Sequence, residues 1–297
     1  MCEHTYLKQK EAKEMTLEQF KYIINQIPSL PGFPRLLVIN LTGLGENLVN
    51  KDFLEMVKFL EKKVIYVTFA DNFTLLTEDV AKTLILANVN KIFVSLDGAT
   101  KKTYEKMRVG ANFEEVLKNI RNFVELKNKM KKKNPDLIIR FVPTNQNIRE
   151  MPLMVELAHK LGIKKITIPP FYVSENNYFL EIGEAEFNKF KTESVKLAKK
   201  LKIKLEFQDP DKKPITQCIR SFGSLFITQE GLVLPCCYIY PRSNHEELEA
   251  KHNFGNVFKQ SIREIWTSDK YKKFRKLIRN GKAPYLCNGC HAFYAVR

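Results

Sequence analysis

Between residues 36 and 207 the spacing of apolar positions changes period again and again. Short runs rich in Val, Ile and Phe recur as "LLVINL" (36–41), "VIYVTF" (64–69), "KIFVSL" (91–96), "LIIRFV" (137–142), "KITIP" (165–169) and "KLEF" (204–207). Each has the length and composition of a β-strand. Between them apolar residues return near every 3.6 positions: Phe53, Met56, Val57 and Leu60; Phe113, Val116, Leu117, Ile120 and Phe123; Met154, Leu157, Ala158 and Leu161; Phe187, Phe190, Leu197 and Leu201. These sets predict helices with one buried face, and Gly162 ends the third of them just before a strand.

Strand and helix in alternation give parallel βαβ units, so an α/β sheet or barrel is expected. In such folds the chemistry gathers in the loops at the carboxyl ends of the strands. The pattern breaks near residue 210, where Pro210 and Pro214 bracket a charged linker. "SLFITQEGLVLPCCYIY" then reads as a hairpin turning at Gln229, Glu230 and Gly231. The expected organisation is therefore an α/β domain over 1–210 and a small α+β domain over 211–297.

Composition narrows the class further. The chain has 297 residues, of which 44% are hydrophobic, enough to bury one large core or two smaller ones. No apolar run approaches the ~18 residues of a membrane span, and the first turn lacks a secretory signal's apolar core. A cytoplasmic protein with no membrane partner is expected. The net charge of +16 invites a nucleic-acid reading, but the lysines are dispersed. Of the two dense runs, "KNKMKKKNPD" (127–136) ends a helix, and "KYKKFRKLIR" (270–279) carries Tyr271, Phe274, Leu277 and Ile278 at helical spacing. Both read as solvated helix faces, which argues against nucleic acid as a partner.

Three strand-end loops carry candidate binding groups. "NLTGLGENL" places Gly43 and Gly45, which allow close backbone approach, beside the Glu46 carboxylate. "FADNFTLLTEDV" puts Asn72 at a strand end and Thr77 with Glu78 at a helix start. In "VSLDGATKKTYEKMR" the strand alternation sends Ser95 and Asp97 the same way, toward the mouth of the sheet. Tyr104, Met107 and Arg108 follow, and either line that mouth or belong to a helix-start surface.

In this order, with "NFEEVLKNI" behind them, the segments resemble the radical S-adenosylmethionine (SAM) enzymes over about residues 1–207. The resemblance implies a partial (β/α)6 barrel in which Gly43, Gly45, Glu46, Asn72, Ser95 and Asp97 hold SAM. The family's glycine-rich segment is usually GGE; here Leu44 separates Gly43 from Gly45, so the motif is one residue wider or has lost a glycine. The family also places CxxxCxxC after its first strand, to ligate a 4Fe-4S cluster that binds SAM. By that resemblance Cys2 is the last of the three cysteines, and the first strand and two cysteines precede Met1, leaving this cluster site incomplete in the chain. The implied activity is formation of a 5'-deoxyadenosyl radical, hydrogen abstraction, and oxidative modification of a peptide, a protein side chain or a small molecule. An electron donor such as ferredoxin or flavodoxin is implied as a partner. No catalytic residue is singled out.

Five of the six cysteines, Cys218, Cys236, Cys237, Cys287 and Cys290, fall in the last eighty residues. Four soft thiolates, Cys218, Cys236, Cys287 and Cys290, select zinc or an iron-sulfur cluster, and their spacing alone does not separate the two. Cysteine, Gly-x4-Cys, a long gap and C-x-x-C is similar to the SPASM and twitch domains that follow radical SAM barrels. That likeness implies one auxiliary 4Fe-4S cluster, with Cys237 spare. His4 and His291 read as surface groups, and Trp266 as core packing. Two other functions fit parts of the sequence: a zinc- or cluster-stabilised binding protein on a decayed radical SAM scaffold, and a basic nucleic-acid-associated module.

Overall fold

The computed structural model describes residues 14–27, 38–43, 45–63, 65–169, 182–207, 218, 220–237, 251–282, 284 and 287. Two compact units result, one of Val38–Asp209 and one combining Cys2–Leu37 with Pro210–Arg297.

The first unit is a six-stranded parallel sheet in chain order. Its strands are β1 (Val38–Asn40), β2 (Tyr66–Asp71), β3 (Lys91–Ser95), β4 (Asp136–Arg140), β5 (Lys165–Ile168) and β6 (Lys204–Phe207). All six expected strands are present, although Leu36, Leu37 and Val64 lie outside the described residues. Register is tight in the middle: Phe93 faces Ala70 of β2 and Ile138 of β4. Leu137, Ile138 and Ile139 are consecutive and all buried, which requires cover on both faces of β4. On β3, by contrast, Ile92 and Val94 are buried while Lys91, Phe93 and Ser95 are half-buried, so one face is closed and the other more open.

The helices between the strands are α2 (Phe53–Glu61), α3 (Glu78–Leu86), α4 (Lys101–Met107), α5 (Phe113–Lys129), α6 (Met151–Lys160) and α7 (Glu184–Leu201). In α2 and α5 the buried residues are the expected periodic sets. Starts are fixed by side-chain caps: Thr77 accepts from the Val80 amide at 3.3 Å, and Asn112 from the Glu115 amide at 3.1 Å. Helix α7 differs from expectation. Phe187, Phe190, Leu197 and Leu201 are half-buried, and the fully buried positions are Ser194 and Ala198. The neighbour of α7 is α6, and close helix approach favours small side chains at the contact.

The second unit is built on a two-stranded antiparallel hairpin, β7 (Phe226–Ile227) and β8 (Val233–Leu234). Gly231 makes its turn with φ +84°, and a Cβ there would come within 2.5 Å of the Phe258 ring. Short helix α8 (Arg220–Gly223) precedes the hairpin, and α9 (Ile262–Thr267) and α10 (Asp269–Arg279) follow it. The Pro210–Pro214 linker lies outside the described residues. Helix α1 (Leu17–Gln26), which the sequence grouped with the α/β domain, belongs to this second unit. Ile23 joins a core with Val233, Phe254, Val257, Ile262, Ile265, Trp266, Tyr271, Phe274 and Ile278. Gln26 Oε1 accepts from the Ile262 amide at 2.9 Å, tying α1 to the start of α9.

Because Ile23 is 4% exposed in that core, Ile23→Ala should cost about 2–4 kcal/mol. The expected result in hydrogen exchange is faster exchange across α9 and α10, with the amides of β2 to β4 still protected. Unchanged exchange in α9 and α10 would remove α1 from this core.

Candidate functional site

The loops that follow β1, β2 and β3 meet at the carboxyl end of the sheet. After β1, Thr42 Oγ1 accepts from the Ala70 amide at 3.0 Å, and Asn47 Nδ2 donates to Ala70 O at 2.8 Å. These bonds fasten the glycine-bearing loop to the end of β2. Gly43 and Gly45 are exposed, and a Cβ at either would meet nothing within 4 Å. Glu46 sits between them and β2, accepting from the Asn72 amide at 3.2 Å. Burial raises the Glu46 carboxyl above its ordinary value, opposed by the Arg108 charge and by Asn72.

At the end of β2, Asp71 is 2% exposed and accepts from the Phe73 amide at 2.8 Å. Its Oδ2 has no hydrogen-bond partner among the described residues. Burial pushes this carboxyl up to about 7, and the neighbouring Glu46 charge adds to the effect. Asn72 Oδ1 accepts from the Thr74 amide at 2.9 Å and its hydroxyl at 2.7 Å. Phe73 between them has φ +60°, a left-handed backbone that a bulky side chain seldom adopts. It is held there by the Asp71 bond, by Asn119 Nδ2 donating to its carbonyl at 2.9 Å, and by packing of its buried ring on Phe123.

After β3 the sequence expectation divides. Ser95 is half-buried at the strand end, in register with Arg140. Asp97 has no exposed surface and both its oxygens are engaged: Oδ1 accepts from the Val142 amide at 2.9 Å, and Oδ2 from Arg108 Nε at 2.9 Å and Nη2 at 2.5 Å. The carboxylate expected at the mouth is thus turned inward, because a charge without water needs partners and the strand end supplies them. Its effect reaches the mouth through Arg108. Burial would discharge that guanidinium, but Asp97, Tyr104 and Glu46 outweigh burial and hold it above its ordinary value. Burial pushes the Tyr104 phenol up to about 12, partly offset by Arg108.

Two groups that the sequence left unmarked hold this arrangement. Asn147 Nδ2 donates to Asp97 O and to Val142 O, both at 2.9 Å. Glu150 accepts from the amides of Ala99 at 2.7 Å and Thr100 at 3.1 Å, and from the hydroxyls of Thr100 at 2.7 Å and Thr103 at 2.5 Å. Both lie in the loop after β4, where strand-end position was the available signal. Gly98 between these bonds admits the α4 backbone, since a Cβ there would fall 2.5 Å from Tyr104 N.

In the second unit the described cysteines, Cys218, Cys236, Cys237 and Cys287, are thiols rather than disulfides. Cys218 and Cys287 pack against the core of Ile23 and Tyr271, Cys236 packs against Leu232 and Leu234, and Cys237 is exposed. Burial keeps the Tyr271 phenol above its ordinary value, with Arg275 opposing and Cys236 adding to the effect. Cys2, His4, Cys290 and His291 lie outside the described residues, and among the described ones no three Cys, His, Asp or Glu side chains gather as a metal site. Trp266 is a core residue at 8% exposure.

The Radical SAM superfamily model matches residues 2–133, and the SPASM model, an iron-sulfur cluster-binding domain, matches residues 218–291. The chain carries a radical SAM domain followed by a SPASM domain. It is 24% identical over 305 residues to the tungsten-containing aldehyde ferredoxin oxidoreductase cofactor-modifying protein of Pyrococcus furiosus, covering 97% of this chain and 83% of that one. It is 26% identical over 316 residues to the AdoMet-dependent heme synthase of Methanosarcina barkeri, covering 95% and 83%. In fold it is similar to Streptococcus suis SuiB bound to the precursor peptide SuiA, with TM-score 0.70 and 15% identity over 93% of this chain; it spans 63% of the SuiB chain.

A radical SAM domain implies a 4Fe-4S cluster with SAM, and a SPASM domain implies auxiliary iron-sulfur clusters. The rim offers groups suited to SAM: open space over Gly43 and Gly45 beside a carboxylate and a guanidinium. In the SPASM unit Cys218 and Cys287 pack on one core while Cys236 packs on Leu232 and Leu234, and the described cysteines do not gather as a cluster site. Among the described residues no helix is long and apolar enough to cross a membrane.

Asp71 gives a pH test. Its folded-state value near 7 lies above the unfolded 3.8, so folding favours the protonated form. The contribution is complete below about pH 4 and is lost as pH rises through about 7, to the extent of roughly 2–4 kcal/mol. Relative to Asp71→Asn, which keeps an acceptor for Phe73, the wild-type chain should lose stability across that window in urea unfolding. Parallel pH profiles for the two proteins would place Asp71 in water.

Proposed function

We propose that this radical SAM/SPASM chain uses SAM to generate a 5'-deoxyadenosyl radical and oxidatively modifies a peptide, a protein side chain or a small molecule. The observation that carries the reading is the open, glycine-bearing loop of Gly43 to Glu46 on the same strand-end rim as Arg108. When bound, the reduced 4Fe-4S cluster supplies the electron that splits SAM into methionine and the 5'-deoxyadenosyl radical.

The chain's own groups divide the work of holding SAM. Gly43 and Gly45 let the backbone approach the ligand. Glu46 offers an acceptor suited to an ammonium group, and Arg108, whose Nε and Nη2 are taken by Asp97, a fixed positive charge suited to a carboxylate. Asn72 and Ser95 complete the rim, while Asp97 serves through Arg108. In the SPASM unit, Cys218, Cys236, Cys287 and Cys290 are the ligands of an auxiliary cluster. It would accept an electron from a substrate radical, which suits an oxidation, while a ferredoxin or flavodoxin would be the donor that reduces the SAM-binding cluster. A peptide substrate is favoured by the fold shared with SuiB, which binds a precursor peptide, and the chain's net charge of +16 favours an acidic one.

Gly45→Val separates ligand approach from folding, because a Cβ at that position meets no protein atom within 4 Å. Calorimetry on the anaerobically reconstituted chain should show SAM affinity at least ~10-fold weaker, or about 1.4 kcal/mol, with an unchanged unfolding midpoint. Equal affinity would take the Gly43 to Glu46 loop out of the SAM site.

The cysteine assignment has its own measurement. Alanine at Cys218, Cys236 or Cys287 should lower iron and sulfide content after reconstitution, whereas Cys237→Ala should not. Zinc retained without iron or sulfide would favour the binding-protein alternative instead.

A further inference from the structure

Residues paired in register across parallel strands stand on the same face of the sheet, so the pairings define two faces. One face carries Phe69, Ile92, Val94, Leu137, Ile139 and Ile166, all buried. The other steps from Ala70 to Phe93 to Ile138 and, one row nearer the carboxyl ends, from Ser95 to Arg140 to Thr167. Along that second row Ser95 is half-buried and Thr167 buried, but Arg140 is exposed. Strand β4 has a neighbour on each side, and a parallel sheet is ordinarily covered on both faces. An exposed arginine in its row therefore marks an opening.

The charges on this face separate Arg140 from the rest. Lys165 and Lys204 both reach Glu206, at 2.7 and 2.9 Å, and Lys91 has Tyr66 and Asp136 as electrostatic neighbours. Arg140 makes no ion pair and no side-chain hydrogen bond among the described residues. Glu206 stands beyond Thr167 in the same row, two strand spacings or about 10 Å from Arg140, and is already held by two lysines. Arg108 has two of its donors committed to Asp97, whereas the Arg140 fork is whole. A guanidinium stays charged at every working pH and matches the two oxygens of a carboxylate.

Its place in the row says which ligand it meets. Ser95, its register partner on β3, belongs to the rim assigned to SAM, and neighbouring strands lie about 4.8 Å apart. A group bound at Arg140 thus lies beside SAM. One row deeper, Phe93 and Ile138 supply an apolar floor, and a few polar groups over apolar lining is the usual make-up of a ligand site.

We propose that Arg140 is a specificity-determining residue that takes a carboxylate of the substrate in a two-pronged ion pair, and that the substrate class it selects is a peptide or protein segment presenting a glutamate or aspartate side chain. This names the substrate class of the function proposed above and rests on that reading of the SAM rim. Anchored there, the acidic side chain would lie along the open face next to the SAM position. The net charge of +16 attracts the same kind of partner from a distance.

The test uses the full chain after anaerobic reconstitution, with SAM present. The probes are N-acetyl-glutamate methylamide, a minimal acidic peptide unit, and its uncharged glutamine counterpart, with affinities read by ligand-observed nuclear magnetic resonance. The wild-type chain should bind the glutamate probe at least ~10-fold more tightly than the glutamine probe, or about 1.4 kcal/mol. Arg140→Gln should abolish that preference. Arg140→Lys keeps the charge without the fork, so it should retain part of the preference, and it stands in should the Gln variant fail to fold. Lys204→Gln removes an equal charge from the same face and should leave the preference in place. SAM affinity, measured by calorimetry, should be the same in all four proteins.

Equal binding of the two probes by the wild-type chain, or a preference undiminished in Arg140→Gln and Arg140→Lys, would overturn the proposal. Weaker SAM binding in both Arg140 variants would also overturn it, by placing Arg140 on SAM itself. A wild-type chain that binds no SAM yet shows the Arg140-dependent preference would sustain the carboxylate site and remove the SAM assignment beside it.

Discussion

A carboxylate with no solvent exposure has to be compensated where it stands, and Asp97 is compensated by two elements at once. The Val142 amide from the loop after β4 takes one oxygen and Arg108 from the end of α4 takes the other, while Asn147 holds the Asp97 carbonyl. A buried ion pair of this kind adds little net stability, because desolvation offsets most of the attraction. What it fixes is geometry. With Asp97 in place, the end of β3, the start and finish of α4, and the loop after β4 are one assembly, and Glu150 locks the same loops through the α4 N-terminus. The guanidinium is then presented at the rim at a set distance from the glycine-bearing loop, with little freedom left to lose on binding a ligand.

The same guanidinium holds down the cost of one of two carboxyl groups at the ends of β1 and β2. Glu46 and Asp71 are both pushed up by burial, and the Glu46 charge raises Asp71 further. Arg108 opposes this at Glu46, whereas Asp71, bonded chiefly to its own turn, stays near neutrality. A rim with one paired cation, one partly compensated carboxylate and one carboxyl poised near 7 is a preorganised polar surface inside a largely apolar sheet. Its polarity is directional, and that is what a zwitterionic ligand needs for orientation.

How far the sequence could be read follows from the range of each interaction. Strand runs and the faces of α2 and α5 were legible because they depend on period alone. The placement of Gly43, Gly45, Glu46 and Asn72 beyond the ends of β1 and β2 was legible because strand-end position is local information. The inward turn of Asp97 was not. Alternation correctly put it beyond Ser95, but whether a strand-end carboxylate meets ligand or protein depends on Val142 and Arg108, 45 and 11 residues away. The core that helix α1 joins was hidden for the same reason: its tie to Ile262 spans 236 residues, and its own amphipathic pattern is silent about which core it packs on. In α7 the apolar period pointed to the large residues, while the buried positions are the small Ser194 and Ala198.

Comparing the two fully buried tyrosines shows how environment separates like groups. Neither hydroxyl has a hydrogen-bond partner among the described residues, and burial raises both phenols. Tyr104, however, stands among charges that are already matched: Arg108 is committed to Asp97, and Glu46 faces the same cation. Tyr271 stands beside an arginine whose Nη1 also lacks a partner among the described residues, in a core of aromatic rings. A hydrocarbon side chain at either position would fill the same space without the desolvation cost, so both hydroxyls are polarity that the described residues leave unmatched.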